Sequence, residues 1–129
     1  MSIDARFILQ KMETGIPSIV ISKNGIFLSK NLYGKLDNTL YVQVYLSQDT
    51  KEIAIVPCSQ NDENAVSLKV VNDYARIYNK DFIIKIASLM GTTFDKINLR
   101  VMGSPVEDYF IFDLKTATSG GKKKDATEQ

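Results

Sequence analysis

Residues 19–36 read IVISKNGIFLSKNLYGKL, and the fold turns on how this stretch is parsed. Residues 19–22 are β-rich, Asn24-Gly25 is a tight-turn dipeptide, and residues 26–28 are β-rich again. Ser29 then offers a hydroxyl to the free N–H groups of a helix start. Leu32, Tyr33 and Leu36 fall on one side of a short helix over residues 30–36, and Asp37-Asn38 ends it.

Outward from this core, residues 40–46 and 52–56 are apolar-alternating runs around Ser47-Gln48-Asp49-Thr50-Lys51, a hairpin pattern. Pro57 is expected to stop the second run, because proline gives no N–H to a ladder. Residues 59–64, SQNDEN, read as a linker. The same order then returns. Residues 66–71 form a strand, Asn72-Asp73 a turn and residues 75–78 a strand. Asn79 caps a helix over residues 80–90, which Gly91 terminates. A second hairpin joins residues 97–102 to 109–114 across Gly103-Ser104-Pro105. Before all this, Ser2 can cap an amphipathic helix over residues 3–13, carrying Ile3, Phe7, Ile8 and Met12 and closed by Gly15 and Pro17; a strand through residues 6–10 is the alternative. After it, residues 116–129 lose apolar periodicity and read as a disordered tail.

The two units can be laid on each other. At a shift of 50, Val20 and Ile21 fall on Val70 and Val71, Phe27 and Leu28 on Ile77 and Tyr78, and Ser29 on Asn79. Lys30, Leu32, Lys35 and Leu36 fall on Lys80, Phe82, Lys85 and Ile86. Past the helices the shift grows to about 57, setting Val42, Val44, Ile53 and Ile55 on Leu99, Val101, Phe110 and Phe112. The expected fold is therefore mainly β with short helices (α+β): two tandem ββαββ units paired about a pseudo-twofold axis. The divisions are an N-terminal helix (1–16), a first repeat (17–58), a linker (59–65), a second repeat (66–115) and a tail (116–129). Neither unit alone is large enough to bury its apolar face. The rival explanation is a generic apolar pattern shared by two small modules.

Composition narrows the chemistry. The chain has 129 residues, 44% hydrophobic and 24% charged, with a net charge of +1 and no histidine. Without histidine, Ser–His and Cys–His catalysis and Cys/His zinc sites are excluded. The single cysteine, Cys58, allows no internal disulfide and reads as a small semi-buried residue. Asp62-Glu63 and Glu107-Asp108 sit in expected loops, where carboxylates are solvated, and no glycine-rich phosphate loop occurs. The chain is expected to be no enzyme and to carry no cofactor or metal. The N-terminus lacks a secretory pattern, and no apolar run nears the ~18 residues of a membrane span, so the cytoplasm is the expected compartment.

Lys23, Lys30 and Lys35 surround the first helix, and Arg76, Lys80 and Lys85 the second. Related by the repeat, Lys30 with Lys80 and Lys35 with Lys85 suit phosphates on a twofold-related duplex. A solvated face of two amphipathic helices is the alternative. The six tyrosines suit strand packing, although Tyr41 and Tyr45 share a strand face with Gln43 and can be exposed. Lys122-Lys123-Lys124 is a short basic cluster near the C-terminus.

IVISKNGIFLSKNLYGKL followed by LYVQVYLSQDTKEIAIVPC at residues 40–58 resembles the swapped-hairpin DNA-binding domain of the AbrB/MazE/SpoVT family. Residues 67–114 resemble the same unit more distantly, and one chain with two copies is similar in plan to the MraZ proteins. The resemblance implies a pseudo-symmetric swapped-hairpin fold and DNA binding through arginines near the turn and strand. The family commonly has an arginine after the turn and a proline entering the helix; here those places hold Gly25 and Ser29, then Ala75 and Asn79. The pattern is also similar in style to small phage or mobile-element proteins. The leading expectation is thus a transcription regulator that binds double-stranded DNA through Lys23, Lys30, Lys35, Arg76, Lys80 and Lys85, with homodimerisation open. The rivals are a protein-interaction module, such as a phage accessory protein acting on a host protein, and single-strand binding by tyrosines.

Overall fold

The computed structural model describes Arg6 and residues 16–36, 39–72 and 74–120. The expected helix or strand before Gly15, the Asp37-Asn38 stop, Asp73 and the tail beyond Gly120 lie outside the described residues. What is described is mainly β, with two short α-helices. The elements are β1 (Ser18–Ser22), β2 (Gly25–Leu28), α1 (Lys30–Lys35), β3 (Tyr41–Ser47), β4 (Glu52–Cys58), β5 (Val66–Ser67), β6 (Lys69–Val71), β7 (Tyr74–Ile77), α2 (Lys80–Leu89), β8 (Asn98–Val106), β9 (Tyr109–Asp113), a 3₁₀ turn (Leu114–Thr116) and β10 (Thr118–Ser119).

The strands form one antiparallel sheet in the order β5-β3-β4-β9-β8-β1-β2-β7-β6, with β10 beside β8. The two ends of this order, β5 and β6, are separated in the chain only by Leu68. Its N–H donates to the Leu40 carbonyl at 2.9 Å, and its side chain is buried. One bent stretch therefore pairs with β3 before Leu68 and with β7 after it, so the sheet nearly closes into a barrel. Near-closure leaves little of an unpaired edge to attract other chains.

Alternation decides what lies inside. Ile19 and Ile21, Ile26 and Leu28, Ile53 and Ile55, Ala75 and Ile77, and Phe110 and Phe112 are the buried members of their strands. Burying each large aliphatic side chain stabilises the fold by roughly 1.5–3 kcal/mol. Helix α1 adds Leu32 and Tyr33 and packs on β1 and β7; α2 adds Ile83, Ile86 and Ala87 and packs on β2. Both helices start as expected. The Ser29 hydroxyl accepts from the Leu32 N–H at 3.1 Å, and Asn79 Oδ1 from the Phe82 N–H at 2.9 Å. Gly91, at φ +73°, follows α2 in the left-handed conformation that ends helices.

Four local readings change. Pro57 does not end β4: it pairs with Val42, and the strand runs to Cys58. Residues 66–71 are two strands broken at Leu68. Gly103-Ser104-Pro105 is not a turn: β8 continues to Val106, Pro105 faces Phe110, and the turn is Glu107-Asp108, with Glu107 at φ +54°. The reason is packing. A Cβ at Gly103 would lie 2.6 Å from Phe112 Cε2, so glycine is there to admit the fully buried ring. Finally, the residues from Thr116 to Gly120 are not tail: Thr118 and Ser119 pair with Arg100 and Leu99.

Gly103→Ala is expected to cost about 1–3 kcal/mol by overpacking, measured by urea denaturation. Combining it with Phe112→Leu, which makes room, should lose less than the sum of the two single changes.

Candidate nucleic-acid interface

The residues that alternate with the core point outward, and the pairing aligns them. Lys69 faces Arg76, Arg76 faces Phe27, Phe27 faces Val20, Val20 faces Arg100, and Arg100 faces Thr118. These form one row across β6, β7, β2, β1, β8 and β10. From Lys69 to Arg100 the row crosses four strand gaps, about 19 Å at the usual ~4.8 Å spacing. The sequences of β1, β2, β6, β7 and β8 contain no aspartate or glutamate. Asp73, between β6 and β7, falls outside the described residues. No described acid forms an ion pair with Lys69, Arg76 or Arg100.

Arg76 is the most constrained of these cations. Its Nε donates to the Asn24 carbonyl at 2.8 Å. Its guanidinium carbon lies 5.8 Å from the Phe27 ring centre and 5.3 Å from that of Tyr78. Two aromatic faces and a backbone carbonyl thus hold it in place, within the range of cation–π attraction. No described residue bonds its terminal nitrogens, so the planar fork stays available to a ligand oxygen. Gly25 makes the arrangement possible. It has φ +138°, and a Cβ there would lie 2.8 Å from Arg76 Nε and 3.0 Å from the Ile77 carbonyl oxygen. The tight turn read at Asn24-Gly25 is realised one residue earlier: Ser22 pairs with Gly25, and Lys23-Asn24 form the bend.

The other expected cations are divided. Lys23 is exposed in the bend beside the Asn24 carbonyl that holds Arg76, so those two come together. Because β2 and β7 run antiparallel, the chain enters α1 at the Tyr74 end of the pair and α2 at the Gly25 end. Lys30 and Lys80 therefore lie at opposite ends of that pair, and Lys80 Nζ sits 5.4 Å from the Phe94 ring centre. Lys35 closes α1 and is exposed. Lys85 lines an open groove of about 610 Å³ with Asp81, Ile84, Ser88, Leu89 and Gln48 of the β3–β4 turn, away from the row. Lys69 and Arg100 were not among the expected residues. Their signal was the alternation with buried Leu68 and Val101, in strands free of acids.

A cleft of about 370 Å³ opens beside the row. Ser22, Lys23 and Asn24 line one side, Asp95, Lys96 and Asn98 another, and Val20 and Gly120 complete it. Tyr45 is 54% exposed on the outer face of β3, with its hydroxyl donating to Gln43 Oε1 at 3.3 Å. The described residues hold no group of three or more Cys, Asp or Glu able to bind a metal. Cys58 is not activated: desolvation first, then the nearby Asp62 carboxylate, pushes its thiol pKa up. No described helix is long and apolar enough to cross a membrane. No family model, curated protein or solved structure matches the chain.

Gly25→Ala is expected to lower stability by about 1–3 kcal/mol through backbone strain, read in thermal melts. Adding Arg76→Ala should recover only part of the loss, because the Ile77 carbonyl still crowds the new methyl. Cys58 should react with iodoacetamide at pH 8 more slowly than a free thiol, since a raised pKa leaves less thiolate. Asp62→Asn should speed that reaction.

Proposed function

We propose that this chain is a non-enzymatic protein that binds double-stranded DNA, a transcription regulator of AbrB-like type. The observation that carries the reading is the acid-free row of Lys69, Arg76 and Arg100. A stripe of cations about 19 Å long on a rigid sheet can meet phosphates on both sides of a groove about 12 Å wide. Lys23 extends the stripe at the β1–β2 bend. Lys30, Lys35 and Lys80 flank it from the helices, and Lys85, beside Asp81, contributes least.

The architecture behind this reading is two tandem ββαββ units in a swapped-hairpin arrangement. Several pairings support it. β2 joins β7 and β4 joins β9, each strand meeting its counterpart in the other unit. β1 joins β8, and β5 joins β3, so each unit's first strand meets the other's third. Ser22 facing Gly25 and Val71 facing Tyr74 superpose the two hairpins at a shift of 49, while the helix caps Ser29 and Asn79 keep the shift of 50. The additional residue is taken up between β7 and α2. At 49, Ile19 falls on Leu68 and Phe27 on Arg76, and inward residues fall on inward ones.

A second reading has one observation in its favour. Val71 and Tyr74, at the β6–β7 end, are 57% and 56% exposed, an apolar surface that suits a protein partner such as a phage accessory protein's host target. Single-strand binding through Tyr41 and Tyr45 has less, since the Tyr45 hydroxyl is already bonded to Gln43.

The test is fluorescence anisotropy with random-sequence duplex DNA at about 50 and 200 mM salt. The wild-type chain is expected to bind with affinity falling steeply as salt rises. Lys69→Ala, Arg76→Ala and Arg100→Ala together should flatten the log–log salt slope by about 2–3, at ~0.9 per phosphate contact. Absence of binding at the lower salt overturns the reading. Lys69→Glu with Arg100→Glu separates the rivals, because it abolishes DNA binding and spares a partner held by Val71 and Tyr74.

A further inference from the structure

We infer that the lysine run Lys122-Lys123-Lys124 belongs to the same phosphate-binding surface, delivered to it by β10, so that the C-terminal segment closes over the DNA backbone at the cleft beside β1. This rests on the DNA-binding reading above and extends its footprint beyond the sheet.

The argument starts where the described chain ends. Thr118 is the cross-strand neighbour of Arg100, the last cation of the row. One residue past β10, the Gly120 N–H donates to the Asn98 carbonyl at 3.1 Å. Gly120 also packs close: a Cβ there would lie 2.7 Å from Asn98 Oδ1 and 3.1 Å from Val20 Cγ1. Val20 is itself a member of the row. The chain is thus held against β8 and β1 up to Gly120, which forms part of the cleft wall.

Two residues further on, the sequence reads Lys-Lys-Lys. A chain spans at most about 3.5 Å per residue, so Lys122 starts within about 7 Å of Gly120 and Lys124 within about 14 Å. Lys23 and Lys96 stand on opposite walls of that cleft, against the single carboxylate of Asp95. The first acid after the run is Asp125. The lysines are therefore tethered where the local charge is already positive, a placement that costs repulsion in the free protein and is relieved when a polyanion enters. The phosphodiester backbone of duplex DNA has the complementary charge and is the occupant we assign.

The experiment is a salt titration of duplex DNA binding with the full chain, the Lys122→Ala/Lys123→Ala/Lys124→Ala variant, and a chain with about twenty Gly/Ser residues inserted between Gly121 and Lys122. Thermal melts check that each is folded. The triple variant is expected to lose about 2–3 from the log–log salt slope. The insertion keeps the charge but dilutes the lysines at the cleft, and its affinity should fall roughly tenfold, as effective concentration drops with about the −3/2 power of tether length. If the wild-type chain binds no duplex, the DNA-binding reading fails and this inference with it. If the wild type binds through Lys69, Arg76 and Arg100 but the triple variant keeps its slope, this inference alone fails. If the triple variant loses slope while the insertion changes nothing, the run acts as a free basic tail, and delivery by β10 is overturned.

Discussion

The fold depends on pairings between strands far apart in the chain. β1 is complete only when Ile19 lies opposite Val101 of β8, and β2 only when Leu28 lies opposite Ala75 of β7. Neither segment of the chain supplies partners for its own strands, so an isolated N-terminal half would expose the apolar faces and open edges of β1 and β2 together. Loop-closure entropy must be met before any of these contacts is gained, a pattern that makes folding slow and highly cooperative. Leu68 is the last element of closure. Its buried side chain and its bond to the Leu40 carbonyl let one stretch serve two neighbours, turning an open sheet into a nearly closed one.

Closure also positions the cations. Once Ile19, Leu28, Ala75 and Val101 are committed inward, the residues between them have no freedom of face, because a slip of one residue would invert every side chain. Val20, Phe27, Arg76 and Arg100 come into line as a consequence of core packing. That rigidity is what separates this row from a scatter of surface lysines: the cations sit on strands, and Arg76 is further held by Phe27, Tyr78 and the Asn24 carbonyl. Gly25 shows how closely the two demands meet, since the close approach of the Arg76 side chain needs a residue without a Cβ at the same position where the turn needs φ +138°.

What was legible in the sequence was local. Ser29 and Asn79 identify helix starts because a cap is satisfied by an N–H three residues away. Gly91 and the Lys23-Asn24-Gly25 bend are equally self-contained. What failed depended on distant residues. Gly103 and Pro105 carry the composition of a turn, yet Phe112 and Phe110 across the strand make them part of a ladder. Pro57 lies in β4 because Val42 faces it there. Thr118 and Ser119 are polar and would be tail, except that β8 extends past β9 and leaves an edge for them to occupy. The site divides in the same way. Lys23 and Arg76 were visible from their nearness to turns, whereas Lys69 and Arg100 become neighbours of the site only through register. The helical lysines were visible by charge alone, and the antiparallel run of β2 and β7 sets Lys30 and Lys80 at opposite ends.

The near-neutral total charge is a poor guide to such a surface. In the strand order, β4 and β9 lie across the sheet from β2 and β7, and there Glu52 and Asp113 face each other. Lys115, whose Nζ lies 3.0 Å from Asp113 Oδ1, lowers that carboxyl's pKa, chiefly through the side-chain hydrogen bond. Its Nζ also donates to the Thr50 carbonyl, so this lysine is engaged on the acidic side of the molecule. At physiological salt, charges separated by more than about 8 Å are largely screened in solvent. A ligand at the β2–β7 face therefore feels Lys69, Arg76, Arg100 and Lys23 and little of the carboxylates across the sheet. The quantity that bears on binding is the sum over one face within a screening length, and a net charge of +1 averages that sum away.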